Sequence, residues 1–178
     1  LVAPATTKLT TVDPVLTFTI SAKGLPDSRL FFDNQATPGS GSVKFEVVAS
    51  GIGLTADPAF TVRDDSGTPI DTGTITNAPN PSPKASLTFD FTSTDVEVTG
   101  GQSRTFKIYL DSISDFNTVA NTSTGVGADY FQLVLRDDED ALINWVDNST
   151  NATTDLDTAS TQGFLRLLPL TGYQFNAQ

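Results

Sequence analysis

Phe60-Thr-Val-Arg63-Asp64-Asp65-Ser-Gly67-Thr-Pro-Ile70-Asp71 has a later counterpart in Phe131-Gln-Leu-Val-Leu-Arg136-Asp137-Asp138-Glu-Asp140-Ala-Leu-Ile143-Asn144. In each, an alternating apolar run ends in Arg-Asp-Asp, and an Ile stands seven residues after the Arg. Alternation sends successive side chains to opposite faces of a strand. Gly67 accepts positive φ with no Cβ penalty, as a tight turn requires. Both stretches therefore predict a β-hairpin. Arg63 and Arg136 are expected to pair with the carboxylates beside them at the tips, where an exposed pair contributes only about 0–1 kcal/mol. The two motifs mark scaffold.

Working outward, Leu16-Thr-Phe18-Thr-Ile20 and Leu87-Thr-Phe89-Asp-Phe91 alternate in the same way, 71 residues apart, and the two Arg-Asp-Asp motifs lie 73 apart. Val43-Lys-Phe45-Glu-Val47 has its echo in Thr105-Phe106-Lys-Ile108-Tyr-Leu110, at an offset of 61 between Phe45 and Phe106. Strands hold while loops change length, which reads as a degenerate two-fold internal repeat with halves 15–86 and 87–178; Thr-rich alternating strands also resemble one another by composition alone. Residues 15–178 form one domain, and 1–14, Thr-rich and punctuated by Pro4 and Pro14, form an extended N-terminal arm or linker. Pro79, Pro81 and Pro83 exclude a central strand and predict an extended crossover. Only Ser112 to Phe116 and Thr154 to Ser160 have room for a turn or two of helix. The fold class expected is all-β, an antiparallel β-sandwich of immunoglobulin-like or jelly-roll-like form.

Composition narrows the chemistry. The 178 residues contain no Cys, Met or His. That removes thiol chemistry, imidazole or thiolate metal sites and every His-based catalytic triad. The net charge of −11 repels nucleic acid and anionic membrane surfaces. No apolar run approaches the roughly 20 residues that span a bilayer as a helix. No cofactor, membrane insertion or nucleic-acid partner is expected.

The acidic run Asp137-Asp138-Glu139-Asp140 groups hard oxygen ligands on one turn and supplies the calcium candidates. It lacks the regular ligand spacing of a dedicated calcium loop, so a solvated hairpin tip is the competing account. Glycoside hydrolysis would need two separated carboxylates in an aromatic-lined cleft. With one Trp and three Tyr dispersed through alternating strands, no catalytic residue is expected, and Trp145 is assigned to the core. Asn121, Asn148 and Asn151 head Asn-x-Ser/Thr sequons in the two longest polar loops, where a glycan would project into solvent in a source that glycosylates. Leu168-Pro-Leu-Thr171-Gly172 matches a sortase signal in letters but lacks the apolar helix and basic tail that follow one; a bend between two terminal strands is expected. In the arm, Val2, Leu9 and Val12 are spaced to enter pockets along an open sheet edge of a neighbouring copy.

Val43-Lys-Phe-Glu-Val-Val-Ala-Ser-Gly51, Phe60 to Gly67, Val98-Thr-Gly-Gly-Gln-Ser-Arg-Thr-Phe-Lys-Ile108 and Ile143-Asn-Trp-Val-Asp147 together resemble β-sandwich modules of prokaryotic cell-surface, envelope and filament-forming proteins. The resemblance spans most of residues 15–175 and rests on strand grammar. It implies an extracellular, cell-surface, non-enzymatic structural role, in a filament, sheath or envelope layer such as a pilus or biofilm matrix. Copies of the chain would join head to tail through strand edges, with donor-strand insertion of the arm as one route. The alternative is an adhesin or carbohydrate-binding module that holds surface glycans with loops 115–128 and 147–162.

Overall fold

A computed structural model describes residues 8–26, 29–31, 42–50, 53–54, 59–76, 85–91, 96–112, 116–117, 130–135, 143–147, 153–155 and 170–176. Among them are fifteen strands and no helix: β1 (Leu16–Ser21), β2 (Arg29–Phe31), β3 (Ser42–Ser50), β4 (Gly53–Leu54), β5 (Ala59–Asp64), β6 (Pro69–Thr76), β7 (Ser86–Phe89), β8 (Glu97–Thr99), β9 (Ser103–Leu110), β10 (Phe116–Asn117), β11 (Tyr130–Leu135), β12 (Ile143–Asp147), β13 (Thr153–Asp155), β14 (Leu170–Thr171) and β15 (Phe175–Asn176). The chain is all-β and every pairing is antiparallel. Thirteen strands join into one curled sheet, and β4 with β10 forms a separate pair. Where helical turns were expected, the described residues Phe116 and Thr154 lie in strands β10 and β13.

Two three-stranded runs organise the sheet. β9 lies between β1 and β5, and β3 lies between β7 and β11. In both, a Leu-Thr-Phe triplet lies opposite an apolar-Lys-apolar triplet. Leu16, Thr17 and Phe18 face Ile108, Lys107 and Phe106, while Leu87, Thr88 and Phe89 face Phe45, Lys44 and Val43. Because the pleat alternates, the apolar members of both runs turn to one face and the Thr and Lys members to the other.

The apolar faces meet. Phe18 on β1 lies 5.6 Å from Phe45 on β3, ring centre to ring centre, and Phe60 on β5 stacks on Phe131 of β11 at 5.8 Å. Phe18 also stacks on its strand neighbour Phe106 at 5.2 Å, and Phe45 meets Phe89 edge-on at 6.3 Å. Phe45, Phe60, Phe89, Phe106, Phe131 and Phe175 are fully buried. Offset and edge-on ring pairs each contribute about 0.5–1.5 kcal/mol beyond the apolar area they bury, so phenylalanine supplies cohesion in a chain that has no cysteine to cross-link.

The sheet turns its corner at β6. Residues 69–74 of that strand pair with β5, and Ile75 and Thr76 pair with β7. Gly73 sits at the change of partner, where an added Cβ would collide with the Thr88 carbonyl oxygen and lie 3.0 Å from Leu87 Cδ1. At the far end of β7, the Asp90 and Phe91 N–H groups both donate to Asp71 Oδ2, at 3.1 and 3.0 Å. Those bonds hold Phe91 at φ 49°, a left-handed conformation that a bulky residue adopts only when its surroundings impose it. Burial of its ring supplies the other half of that constraint.

Among the described residues, the first Arg-Asp-Asp motif closes a hairpin. β5 and β6 pair directly, and Gly67 takes φ 86° between them. β11 and β12 are not paired with each other. Both lie along β3, on the side opposite β7, with Val134 facing Glu46 and Ile143 facing Val43. Three steps along β3 thus correspond to nine along its partner, and residues 136–142 lie outside the described residues. β14 and β15 likewise share one edge of β11, with residues 172–174 between them, and Pro169 lies outside the described residues. There the Gly172 N–H donates to Leu133 O at 2.8 Å, and an added Cβ would stand 2.9 Å from that oxygen.

Candidate functional site

The described residues concentrate unpartnered charge on the outer face of β1, β9 and β5. Lys107 on β9 faces Thr17 on one side and Arg63 on the other, so two cations stand directly opposite each other across a strand pair. Like charges so placed disfavour the pairing. Neither has a hydrogen-bond or ion-pair partner among the described residues. Arg63 lies diagonally over the ring of Tyr109, with its guanidinium carbon 5.0 Å from the ring centre, and its Nε is buried with no acceptor. The ring holds the cation through its negative face and fixes its direction.

This corrects the expectation that Arg63 pairs with the acids beside it. Asp64 is otherwise engaged. Ser66 Oγ donates to Asp64 Oδ1 at 2.6 Å and the Thr68 N–H at 2.9 Å. These two bonds, with the Ser66 hydroxyl first, hold the Asp64 carboxyl below its ordinary value of 3.8. The Asx-type turn satisfies the carboxylate locally, and Arg63 on the outer face turns to the aromatic instead.

Around the two cations the face is paved with hydroxyls. Thr19 and Thr105 hydroxyls are 3.0 Å apart across β1 and β9, and those of Ser21 and Ser103 are 2.7 Å apart. Thr61 Oγ1 donates to Asp111 Oδ1 at 2.6 Å, which anchors the β5 side. A third cation, Arg104, lies on the opposite face of β9, the face of Phe106, with Nη1 donating to Glu97 O at 3.3 Å and its guanidinium carbon 5.7 Å from the Phe106 ring centre. The arrangement offers hydrogen-bond donors and positive charge on one face of the sheet.

Other candidate residues are dispersed or outside the described residues. Asp137, Asp138, Glu139 and Asp140, the sequon residues Asn121, Asn148 and Asn151, Arg136 and Val2 lie outside them, as do most of loops 115–128 and 147–162. Among the described residues no three acidic side chains gather as a metal site. Trp145 contributes its backbone to β12. In the arm, Leu9 is buried in this chain's own core, while Val12 is 80% exposed. After Leu9, Thr10 Oγ1 accepts from the Asp13 N–H at 3.0 Å and donates to Asp13 Oδ2 at 3.1 Å, which closes residues 10–13 into a local turn.

Tyr109 and Lys107 were not singled out in the sequence. The signal was there: a lysine between Phe106 and Ile108 must face away from the core. What it faces depends on strand order. Among the described residues no helix is long and apolar enough to cross a membrane. No protein-family model matches the chain, and no curated protein or solved structure matches it either.

Proposed function

We propose that the chain is a non-enzymatic, extracellular structural module, a subunit of a surface filament, sheath or envelope layer whose copies join along strand edges. Its architecture on this account is a β-sandwich, with β1-β9-β5 packed on β7-β3-β11 and the two runs related as degenerate repeats that exchange strands. The supporting observation is β1. It stands at the end of the sheet path and pairs with β9 alone among the described residues. Its six residues, Leu-Thr-Phe-Thr-Ile-Ser, carry no charge, no proline and no bulge. Monomeric β-proteins guard such edges with exactly those devices, because an unguarded row of N–H and C=O groups templates another strand. The edge, more than the arm, carries the proposal, since Leu9 is already committed to this chain's core.

The test is assembly of the full chain, followed by light scattering and negative-stain microscopy, with Thr19→Lys as the edge-guarding variant. Thr19 is exposed, so the substitution should shift folding stability by no more than about 0.5 kcal/mol. Wild type should polymerise and the variant should remain monomeric with an unchanged melting curve. A wild-type chain that stays monomeric at every concentration, or a variant that polymerises equally well, would sink the reading.

A further inference from the structure

We infer that the outer face of β1, β9 and β5 is a binding surface for a carboxylate-bearing polysaccharide, with Arg63 and Lys107 as the carboxylate-recognising pair. The inference is independent of polymerisation, because the face belongs to a single copy.

The two cations make no bond among the described residues, yet they are held next to each other in a chain of net charge −11. With 21 acidic residues against 10 basic ones, partners for Arg63 and Lys107 are abundant in the sequence, and the fold places none of the described ones on them. Arg63 is also pre-oriented: Tyr109 carries the guanidinium at 5.0 Å, and the buried Nε lacks an acceptor. A guanidinium offers a planar fork that matches a carboxylate with two parallel hydrogen bonds, and an opposing ammonium adds a point charge. An incoming carboxylate would therefore relieve the repulsion between the two cations and accept from the terminal guanidinium N–H groups and the ammonium, the buried Nε staying out of its reach.

The surroundings choose the kind of carboxylate. Rows of hydroxyls from Thr17, Thr19 and Ser21 on β1 and from Thr105 and Ser103 on β9 extend from the cations along the sheet. Hydroxyls donate and accept, so they match a ligand whose own groups are hydroxyls spaced along a chain. Small ligands select concave pockets; an open strand face presents contacts in a line and suits an extended polymer. An acidic peptide from a second copy would find the cations but supplies few hydroxyls for the lone pairs that the Thr19–Thr105 and Ser21–Ser103 pairs leave free. A polymer of uronic-acid sugars satisfies both.

Binding of the full chain to immobilised polygalacturonate, measured in EDTA so that no divalent cation bridges the two, tests the inference. Fully methyl-esterified polygalacturonate and dextran sulfate serve as comparison surfaces. Wild type should bind polygalacturonate and lose at least tenfold on esterification. Lys107→Gln alone and Arg63→Gln/Lys107→Gln together should each weaken binding at least tenfold, the double variant more, with melting curves that report an intact fold. Thr105→Asp, which adds a negative charge beside the pair, should abolish binding and serves if the Arg63 substitution unfolds the chain. Equal binding to the esterified polymer, dextran sulfate binding that exceeds polygalacturonate binding, or Lys107→Gln and Thr105→Asp variants that bind like wild type would each overturn it. So would loss of self-association in the variants with no wild-type glycan binding, which would assign the cations to a second copy.

Discussion

Asp64 shows how one side chain sets the chemistry of its neighbour. Its carboxylate accepts from Ser66 Oγ and from the Thr68 N–H, and both bonds favour the charged form. The folded-state pKa is therefore depressed, with Ser66 the larger cause. A depressed carboxylate contributes its stability above the unfolded value and loses it as pH falls through the folded value, so the contribution fades only below the ordinary 3.8. Ser66→Ala should move the Asp64 midpoint up towards 3.8 in a carboxyl NMR titration. An unmoved midpoint would show that the backbone bond alone sets it. The same pair of bonds explains why Arg63 is left for Tyr109. Nothing in Arg-Asp-Asp as a string of letters announces that the acid will be satisfied by residues two and four positions on.

At the scale of elements, the decisive place is the middle of β6, where the strand changes partner. Gly73 permits that change because β7 passes so close that no side chain fits between them. Gly73→Ala should destabilise the fold by about 1–3 kcal/mol, the usual cost of forcing extra volume into a packed site. Urea denaturation measures this, and an unchanged midpoint would mean that β6 and β7 separate easily. Strand positions were largely legible in the sequence because alternation is local: β1, β3, β5, β7, β9 and β11 all fall on runs whose every second residue is apolar. The first hairpin was legible for the same reason, since Gly67 announces its own φ. Partners were not. The second Arg-Asp-Asp motif follows an equally regular strand, yet β11 and β12 give their backbone bonds to β3. Alternation says which face a residue takes and nothing about which strand lies beside it. Leu9 was missed as core because one apolar residue in a Thr-rich arm has no period to declare its burial. The cationic face was missed because Arg63, Lys107 and Tyr109 meet only once β5 and β9 are adjacent.

For the whole molecule, net charge and edge chemistry oppose each other. Each copy carries −11, so association of copies works against long-range repulsion. The β1 edge is uncharged, and its main-chain hydrogen bonds are insensitive to ionic strength. Salt therefore discriminates between two ways of joining. If copies meet along β1, raising ionic strength from about 0.01 to 0.1 M shortens the screening length from about 30 to 10 Å and removes repulsion without weakening the contact. The concentration at which polymer forms should fall. If instead the contact were an ion pair between the cations of one copy and acids of another, the same change would screen the attraction and the threshold would rise. Lowering the pH towards the isoelectric point near 4.1 should act like salt in the first case, because protonating carboxylates reduces the net charge. In the second case it removes the acids that hold the copies together. Sedimentation of the full chain across both series reads the sign directly: thresholds that rise with salt and with acid would exclude edge pairing as the main contact.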